Sequence, residues 1–283
     1  MIRAVLKDEA FIADVAKYQH DAENFHLWWL GQSGYLLLWK GKKILIDPYL
    51  SDSLTRKYAA TNKPHIRMSE RVLDPWLLRD IAVVTSSHNH TDHLDAETLT
   101  PIIKNNPQVR FIIPEANRDF VCERLSISKD FPIGLTDGKS VSIDEFTFHG
   151  VPAKHNEIER DENGHCKFMG YVIRFGRWSI YHSGDTLWYD EMVELLEPFD
   201  VDVALLPING NEATRDVAGN LNTEEAARIG KAIHAKAVIP CHYDMFTFNT
   251  ADPNEFAEEA KKIGQPYCLL EPGGHFSSLY FKV

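Results

Sequence analysis

Thr85-Ser86-Ser87-His88-Asn89-His90-Thr91-Asp92-His93-Leu94 is the stretch on which the reading of this chain turns. Just before it, Ile81-Ala82-Val83-Val84 is apolar and largely β-branched, which predicts a buried strand. Just after it, Leu94-Asp95-Ala96-Glu97-Thr98-Leu99 reads as the opening of a helix. Three histidines and a carboxylate therefore sit in the turn at the end of a strand. Neutral imidazole with carboxylate suits Zn²⁺, Mn²⁺ or Fe²⁺, and a loop held by a rigid strand can converge such donors on one point. Solubility or packing alone gives no reason for four ligand-type residues within six positions.

Outward from that turn, the downstream chain alternates strands with helices. Strands are expected at 109–113, 140–151, 168–175, 178–182, 201–206, 237–240, 267–270 and 278–283. Helices are expected near 95–104, 115–125, 189–196, 223–234 and 253–262. Upstream, residues 26–30, 35–39 and 44–47 read as a β-meander with turns at Gly31-Gln32-Ser33-Gly34 and Lys40-Gly41-Lys42-Lys43. Residues 1–20 carry Val5, Leu6, Phe11, Ile12, Val15 and Ala16 at roughly helical spacing. Residues 50–75 look irregular, a loop or a lid over a site. Two β-rich blocks, each followed by helices, predict an α/β (α+β) fold of two stacked sheets with helices outside. No linker-like segment splits the chain, so 1–283 is read as a single domain.

Composition narrows the function classes. With 283 residues, 44% of them hydrophobic, the chain can bury a large core. The net charge of −11 and the lack of a Lys/Arg cluster argue against nucleic acid as a partner. A small anionic substrate needs only a metal and one or two local cations. No run approaches the ~18 apolar residues of a membrane span, and residues 1–23 hold eight charges and no signal-type apolar core. The dispersed Cys122, Cys166, Cys241 and Cys268 read as reduced thiols of a cytoplasmic protein.

Three further donors follow apolar strands: His155 after Val151-Pro152-Ala153-Lys154, Asp185 after Ser179-Ile180-Tyr181-His182-Ser183-Gly184, and His242 after Ala237-Val238-Ile239-Pro240-Cys241. Each taken singly also fits a structural His or a turn-forming Asp. Their order is what matters. His88-x-His90-x-Asp92-His93, then a His, then Gly184-Asp185, then a late His resembles the metallo-β-lactamase superfamily. That resemblance implies a four-layer αββα sandwich with a dinuclear site at one edge. It implies one metal held by His88, His90 and His155, a second by Asp92, His93 and His242, and Asp185 between them. It also implies that Asp47 hydrogen-bonds a ligand histidine; a cap before Pro48 is the other reading. Within the superfamily, Trp28-Trp29-Leu30-Gly31, Val72-Leu73-Asp74-Pro75, Tyr181-His182-Ser183-Gly184-Asp185, Asp202-Val203-Ala204-Leu205 and Ala251-Asp252-Pro253 resemble the L-ascorbate-6-phosphate lactonase-like hydrolases. The chain departs from the lactonases at His155, in loop 207–220 and in its shorter C-terminal end.

The expected chemistry is hydrolysis by a hydroxide generated at two divalent ions, Zn²⁺ or Mn²⁺ with Fe²⁺ as an alternative, about 3.5–4 Å apart, with Asp92 orienting the nucleophile. A small anionic ester or lactone, such as a sugar-acid phosphate lactone, is the expected substrate. A phosphodiesterase or nuclease on the same core is the alternative, and a non-catalytic metal-binding protein stands behind it. Gly31-Gln32-Ser33-Gly34 is not a Gly-x-Ser-x-Gly elbow, which argues against a serine hydrolase. Arg215, Asn209 and Tyr243 are the candidate substrate contacts, Arg215 as a bidentate anion clamp or else an exposed solubilising residue. His182 is either a family site residue or buried and structural. His65, His165 and His275 stay unassigned, on the surface or at a pocket rim. The lactonase resemblance also implies a homo-oligomer.

Overall fold

The computed structural model describes residues 1–215 and 219–282. In chain order the helices are α1 (Asp8–Lys17), α2 (Ser53–Tyr58), α3 (Ala96–Asn105), α4 (Arg118–Leu125), α5 (Met192–Leu196), α6 (Thr223–Ala232) and α7 (Pro253–Ile263). The strands are β1 (His26–Gly31), β2 (Gly34–Trp39), β3 (Lys42–Ile46), β4 (Ile81–Thr85), β5 (Arg110–Pro114), β6 (Pro132–Leu135), β7 (Ser140–Ile143), β8 (Phe146–Pro152), β9 (Met169–Phe175), β10 (Trp178–His182), β11 (Val203–Pro207), β12 (Ala237–Cys241) and β13 (His275–Ser277).

β1 and β2 are apolar almost throughout and buried at every position. A sheet with one wet face would alternate apolar with polar residues; a continuous apolar run requires cover on both faces. Here Leu27, Trp29, Tyr35 and Leu37 enter a core shared with the second sheet. Trp28, Leu30, Leu36 and Leu38 enter a second core with Phe11 and Val15 of α1, Leu99 and Ile102 of α3, and Val121 of α4. On the far side, Ala226, Ala227 and Ile229 of α6 and Phe256 and Ala260 of α7 close over the second sheet. The layers are therefore α, β, β, α.

One sheet has the order β13-β1-β2-β3-β4-β5-β6 and the other β12-β11-β10-β9-β8-β7. In the first, β3 through β6 run parallel; in the second, β10, β11 and β12 do. Pro240 is tolerated in β12 because that strand is an edge. Asn222 caps α6 through a reciprocal bond with Glu225, and Asp252 caps α7 ahead of Pro253.

The ends of the chain differ from expectation. Residues 278–282 form a 3₁₀ turn, not a strand, and the last strand is β13. The Ser278 hydroxyl accepts from Phe25 N–H at 3.2 Å and so takes the donor a longer ladder would need. Residues 267–270 contribute a single bridge, Tyr267 to Val238. The expected helix over 1–20 is confined to α1, and that over 189–196 to α5. β6 was not expected, since Pro132 and Gly134 disguise it; as an edge strand it tolerates both. Within 50–75 the short helix α2 forms.

Candidate metal centre

The donors stand on loops that leave the carboxyl ends of β4, β8, β10 and β12. After β4, the 86–95 loop is pinned by Leu94, fully buried, and by Asp95, which caps α3 by accepting from Thr98 N–H at 3.0 Å. Gly184 precedes Asp185 with φ +61, and a Cβ there would lie 2.7 Å from the Met169 carbonyl oxygen. Only glycine lets this turn pass so close to β9. His242 is held at φ +64 and Gln32, in the β1–β2 turn, at φ +51. The two are locked together, because His242 N–H donates to the Gln32 carbonyl at 3.0 Å.

These turns bring two sets of donors together. His88, His90, His155 and Asp185 each offer one ligand atom, all within 4.8 Å of one another; so do Asp92, His93, Asp185 and His242. Asp185 belongs to both sets. Its Oδ1 lies 3.2 Å from His93 Nε2 and its Oδ2 3.5 Å from His242 Nε2. Backing contacts fix the rings. Asp47 Oδ2 lies 2.8 Å from His93 Nδ1 and is further held by Ser87 N–H, while Oδ1 accepts from the Thr85 hydroxyl. His155 Nδ1 lies 2.8 Å from the Gly219 carbonyl oxygen, so it is the donor and Nε2 faces the site. His88 Nδ1 faces the Ser87 hydroxyl at 3.0 Å.

That leaves His88 Nε2, His93 Nε2 and Asp185 Oδ1 buried with no well-directed hydrogen bond. The 3.2 Å approach of the last two is an ion-pair distance without hydrogen-bond geometry. Orphaned polar atoms are costly, and three that belong to two donor sets meeting at Asp185 fit bound cations.

The electrostatics agree. Burial pushes Asp92 and Asp185 up, but His93 and His242 hold both carboxyls well below the usual range. Burial pulls His93 and His242 down, yet Asp185 and Asp92 raise His93 well above its ordinary value and His242 to about 9. The other set behaves oppositely. Desolvation holds His88 far down, with His93 and His90 adding to it. Desolvation and His155 bring His90, which opens on the cavity yet is ringed by protein, to about 4. Desolvation keeps the His88 and His90 rings neutral on one side; on the other the ionised Asp92 faces His93 and His242, with Asp185 between.

His90, Asp92, His155, Asp185 and His242 line the floor of a cavity of about 510 Å³, and His88 and His93 lie buried within that floor. Its walls include Lys57, Tyr58, Lys63 and His65 from the 52–66 segment, with Arg124, Phe120, Phe246 and Asn249. The three expected substrate contacts do not line it. Tyr243 is buried against Trp29 at 4.5 Å, and its hydroxyl donates to the Leu270 carbonyl. Asn209 is buried and donates to Asn249 Oδ1 at 2.8 Å, so it holds a wall residue from behind. Arg215 reaches the same oxygen at 3.4 Å. Residues 216–218 of the altered loop lie outside the described residues. His182 is buried, with Nε2 2.9 Å from the Ser33 carbonyl oxygen. His65 lines the wall, His165 pairs with Asp161, and His275 stacks on Trp28. Sequence reading missed Gln32, whose Nε2 donates to Asp92 Oδ2 at 2.8 Å, and the cations of the 52–66 segment.

Comparison with known proteins finds relatives over most of the chain. The profile described as "Beta-lactamase superfamily domain" matches residues 42–243, which include every donor named above. The "Probable L-ascorbate-6-phosphate lactonase UlaG" of Escherichia coli O127:H6 is 25% identical over 288 residues, covering 89% of this chain and 80% of that protein. Among solved structures, Igni18, a metallo hydrolase of the archaeon Ignicoccus hospitalis, has a TM-score of 0.66 at 24% identity, over 90% of this chain and 98% of its own. An isothiocyanate hydrolase from Delia radicum gut bacteria has a TM-score of 0.72 at 20% identity, over 89% and 100%. At these identities the structural likeness shows the fold.

Proposed function

This chain belongs to the β-lactamase superfamily, and from that premise we propose a metal-dependent hydrolase of a small anionic ester or lactone, a phosphorylated sugar-acid lactone being the concrete case. The observation that carries the reading is the pair of donor sets sharing Asp185, with three orphaned donor atoms buried beneath a cavity that the other donors line. His88, His90 and His155 would hold one divalent ion, Asp92, His93 and His242 the other, and Asp185 both. Zn²⁺ and Mn²⁺ suit these donors, as does Fe²⁺. Such a pair, when bound, activates water near neutral pH and polarises the attacked carbonyl.

The chain's own groups do the rest. Asp47 and the Gly219 carbonyl hold His93 and His155 so that Nε2 of each faces Asp185. Asp92, kept ionised by His93 and His242, can accept a hydrogen bond from a nucleophile on the floor and so orient it. Charge in the walls supports an anion. Lys57, Lys63 and Arg124 line the cavity, and among the described residues its acids are the donors Asp92 and Asp185. The volume suits a small molecule. The lactonase named above, at 25% identity, supports a lactone.

The test is hydrolysis by metal-reconstituted protein of a panel: a phosphorylated lactone, its neutral counterpart, and bis-p-nitrophenyl phosphate. Opening of the phosphorylated lactone, abolished in His90→Ala, is expected. Turnover of the diester without lactone turnover would replace this reading with a phosphodiesterase.

A further inference from the structure

Gln32 makes the two donor sets unequal. It is nearly fully buried, lines the cavity, and sits in a left-handed backbone conformation that its carbonyl bond with His242 N–H secures. Its carboxamide nitrogen donates to Asp92 Oδ2 at 2.8 Å and lies 3.0 Å from His242 Nε2. Those two atoms are ligand-type donors of the same set. The amide therefore directs its N–H₂ group, a positive dipole end, at the ground where an ion bound by Asp92, His93, Asp185 and His242 would be. No such donor reaches the other set: among the described residues, His88 Nε2 has no hydrogen-bond partner, and the backing bonds of His88 and His155 lie on their Nδ1 atoms.

We propose that the Gln32 carboxamide is a built-in competitor of the second metal ion. The His88/His90/His155 position then fills first, and the second fills only as the amide is displaced from Asp92 and His242. An amide released from Asp92 still reaches the cavity, where its N–H₂ is available to an oxygen of the bound substrate. The inference rests on the dinuclear reading and concerns the order and strength of metal uptake.

The experiment is calorimetric titration of the metal-stripped protein with Zn²⁺, wild type against Gln32→Met and Gln32→Glu, with metal content measured at each plateau. Met keeps the length and removes the donor; Glu keeps the shape and replaces the donor with a ligand. Two unequal steps are expected in the wild type. In Gln32→Met the weaker step should tighten by about tenfold, the worth of one hydrogen bond to a charged group, with the tighter step unchanged. Gln32→Glu should tighten it further. In the ¹⁵N–¹H spectrum, the side-chain amide pair missing from Gln32→Met should move with the second equivalent of Zn²⁺ and not the first. Weakening of the second step in Gln32→Met, or no change in it, overturns the proposal, as does an amide signal that moves with the first equivalent. A wild type that takes up no Zn²⁺ overturns the metal reading itself, which separates the two failures.

Discussion

On the floor of the cavity, His93 is held by Asp47, His155 by the Gly219 carbonyl, and Asp92 by Gln32, all on turns that leave buried strands. On the roof, Lys57 and Tyr58 belong to a six-residue helix, and Lys63 and His65 follow it in irregular chain. The roof is tied to the body mainly by side chains: Arg56 pairs with Glu97, the His65 ring packs against Phe246 at 5.3 Å, and the Arg67 guanidinium reaches Met245 Sδ. The difference separates two jobs. A rigid floor sets the class of reaction, because donors must be held closely to bind an ion. A roof of loop and short helix sets what is held against that floor, because its side chains can change without disturbing a strand.

The largest expected effect is on the floor. Asp185→Asn removes the one carboxylate common to both donor sets. Metal content should fall at both positions and activity should drop by more than the roughly 10- to 100-fold that loss of an outer partner costs. Elemental analysis alongside turnover checks this. Retention of two ions with full activity would mean that the floor is not what defines the chemistry.

Asp47→Asn tests the same division one step further back. The variant keeps the shape beside His93 but removes the charge that receives its Nδ1–H, leaving the ring free to take the other tautomer. A loss of roughly 10- to 100-fold in metal affinity is expected, concentrated in the second ion, with the first little affected. A uniform loss at both positions would show instead that Asp47 supports the whole 86–95 loop through Ser87 and Thr85.

The floor was the legible half. Histidine and aspartate in such density have few structural uses, so their identity alone reported a metal turn. The continuous apolar runs of β1, β2 and β4 likewise reported sheets covered on both faces. Gln32 was illegible for a physical reason: an amide between Gly31 and Gly34 looks like ordinary turn chemistry until the fold sets it against Asp92. Lys57 and Lys63 were hidden in the same way, since a lysine's charge says nothing of the wall it will line. Arg215 and Tyr243 drew attention through nearness in sequence to a polar loop or a donor, but the Tyr243 ring turns inward against Trp29 while its neighbours His242 and Phe246 line the cavity. β6 and β13 are too short, at four and three residues, for any period to show.

Lys57→Ala sharpens the comparison from the roof side. Lys57 is exposed, with a long 3.4 Å contact to the Thr91 hydroxyl and its Nζ 5.1 Å from the Tyr58 ring, so its removal should leave fold and metal content unchanged. For a phosphorylated lactone, KM should rise roughly three- to tenfold, a charged contact discounted for solvent screening, with kcat nearly constant. A neutral lactone should show no change. A fall in kcat with KM unaltered would place Lys57 in the chemical step and dissolve the division between floor and roof.

The smallest effect lies outside both regions and asks whether acid sensitivity belongs to the metal floor at all. At the far end of the first sheet, His26 Nδ1 and His275 Nε2 lie 3.0 Å apart, and His275 stacks on Trp28 at 4.5 Å and 15°. Burial, reinforced by His26, brings His275 down to about 4, and burial also lowers His26 against the pull of Asp21. A histidine whose folded-state value lies below its unfolded 6.5 binds fewer protons folded than unfolded between those limits. Its stabilisation is therefore complete above pH 6.5 and is lost progressively as pH falls towards 4. His275→Gln should flatten the decline of the melting temperature across that window by a few degrees, measured with metal and with chelator. Its share should be the same under both conditions, because the pair touches no donor. If the flattening appears only with chelator, the His26–His275 pair is coupled to the floor across the sheet, and the two ends of the fold do not respond to acid independently.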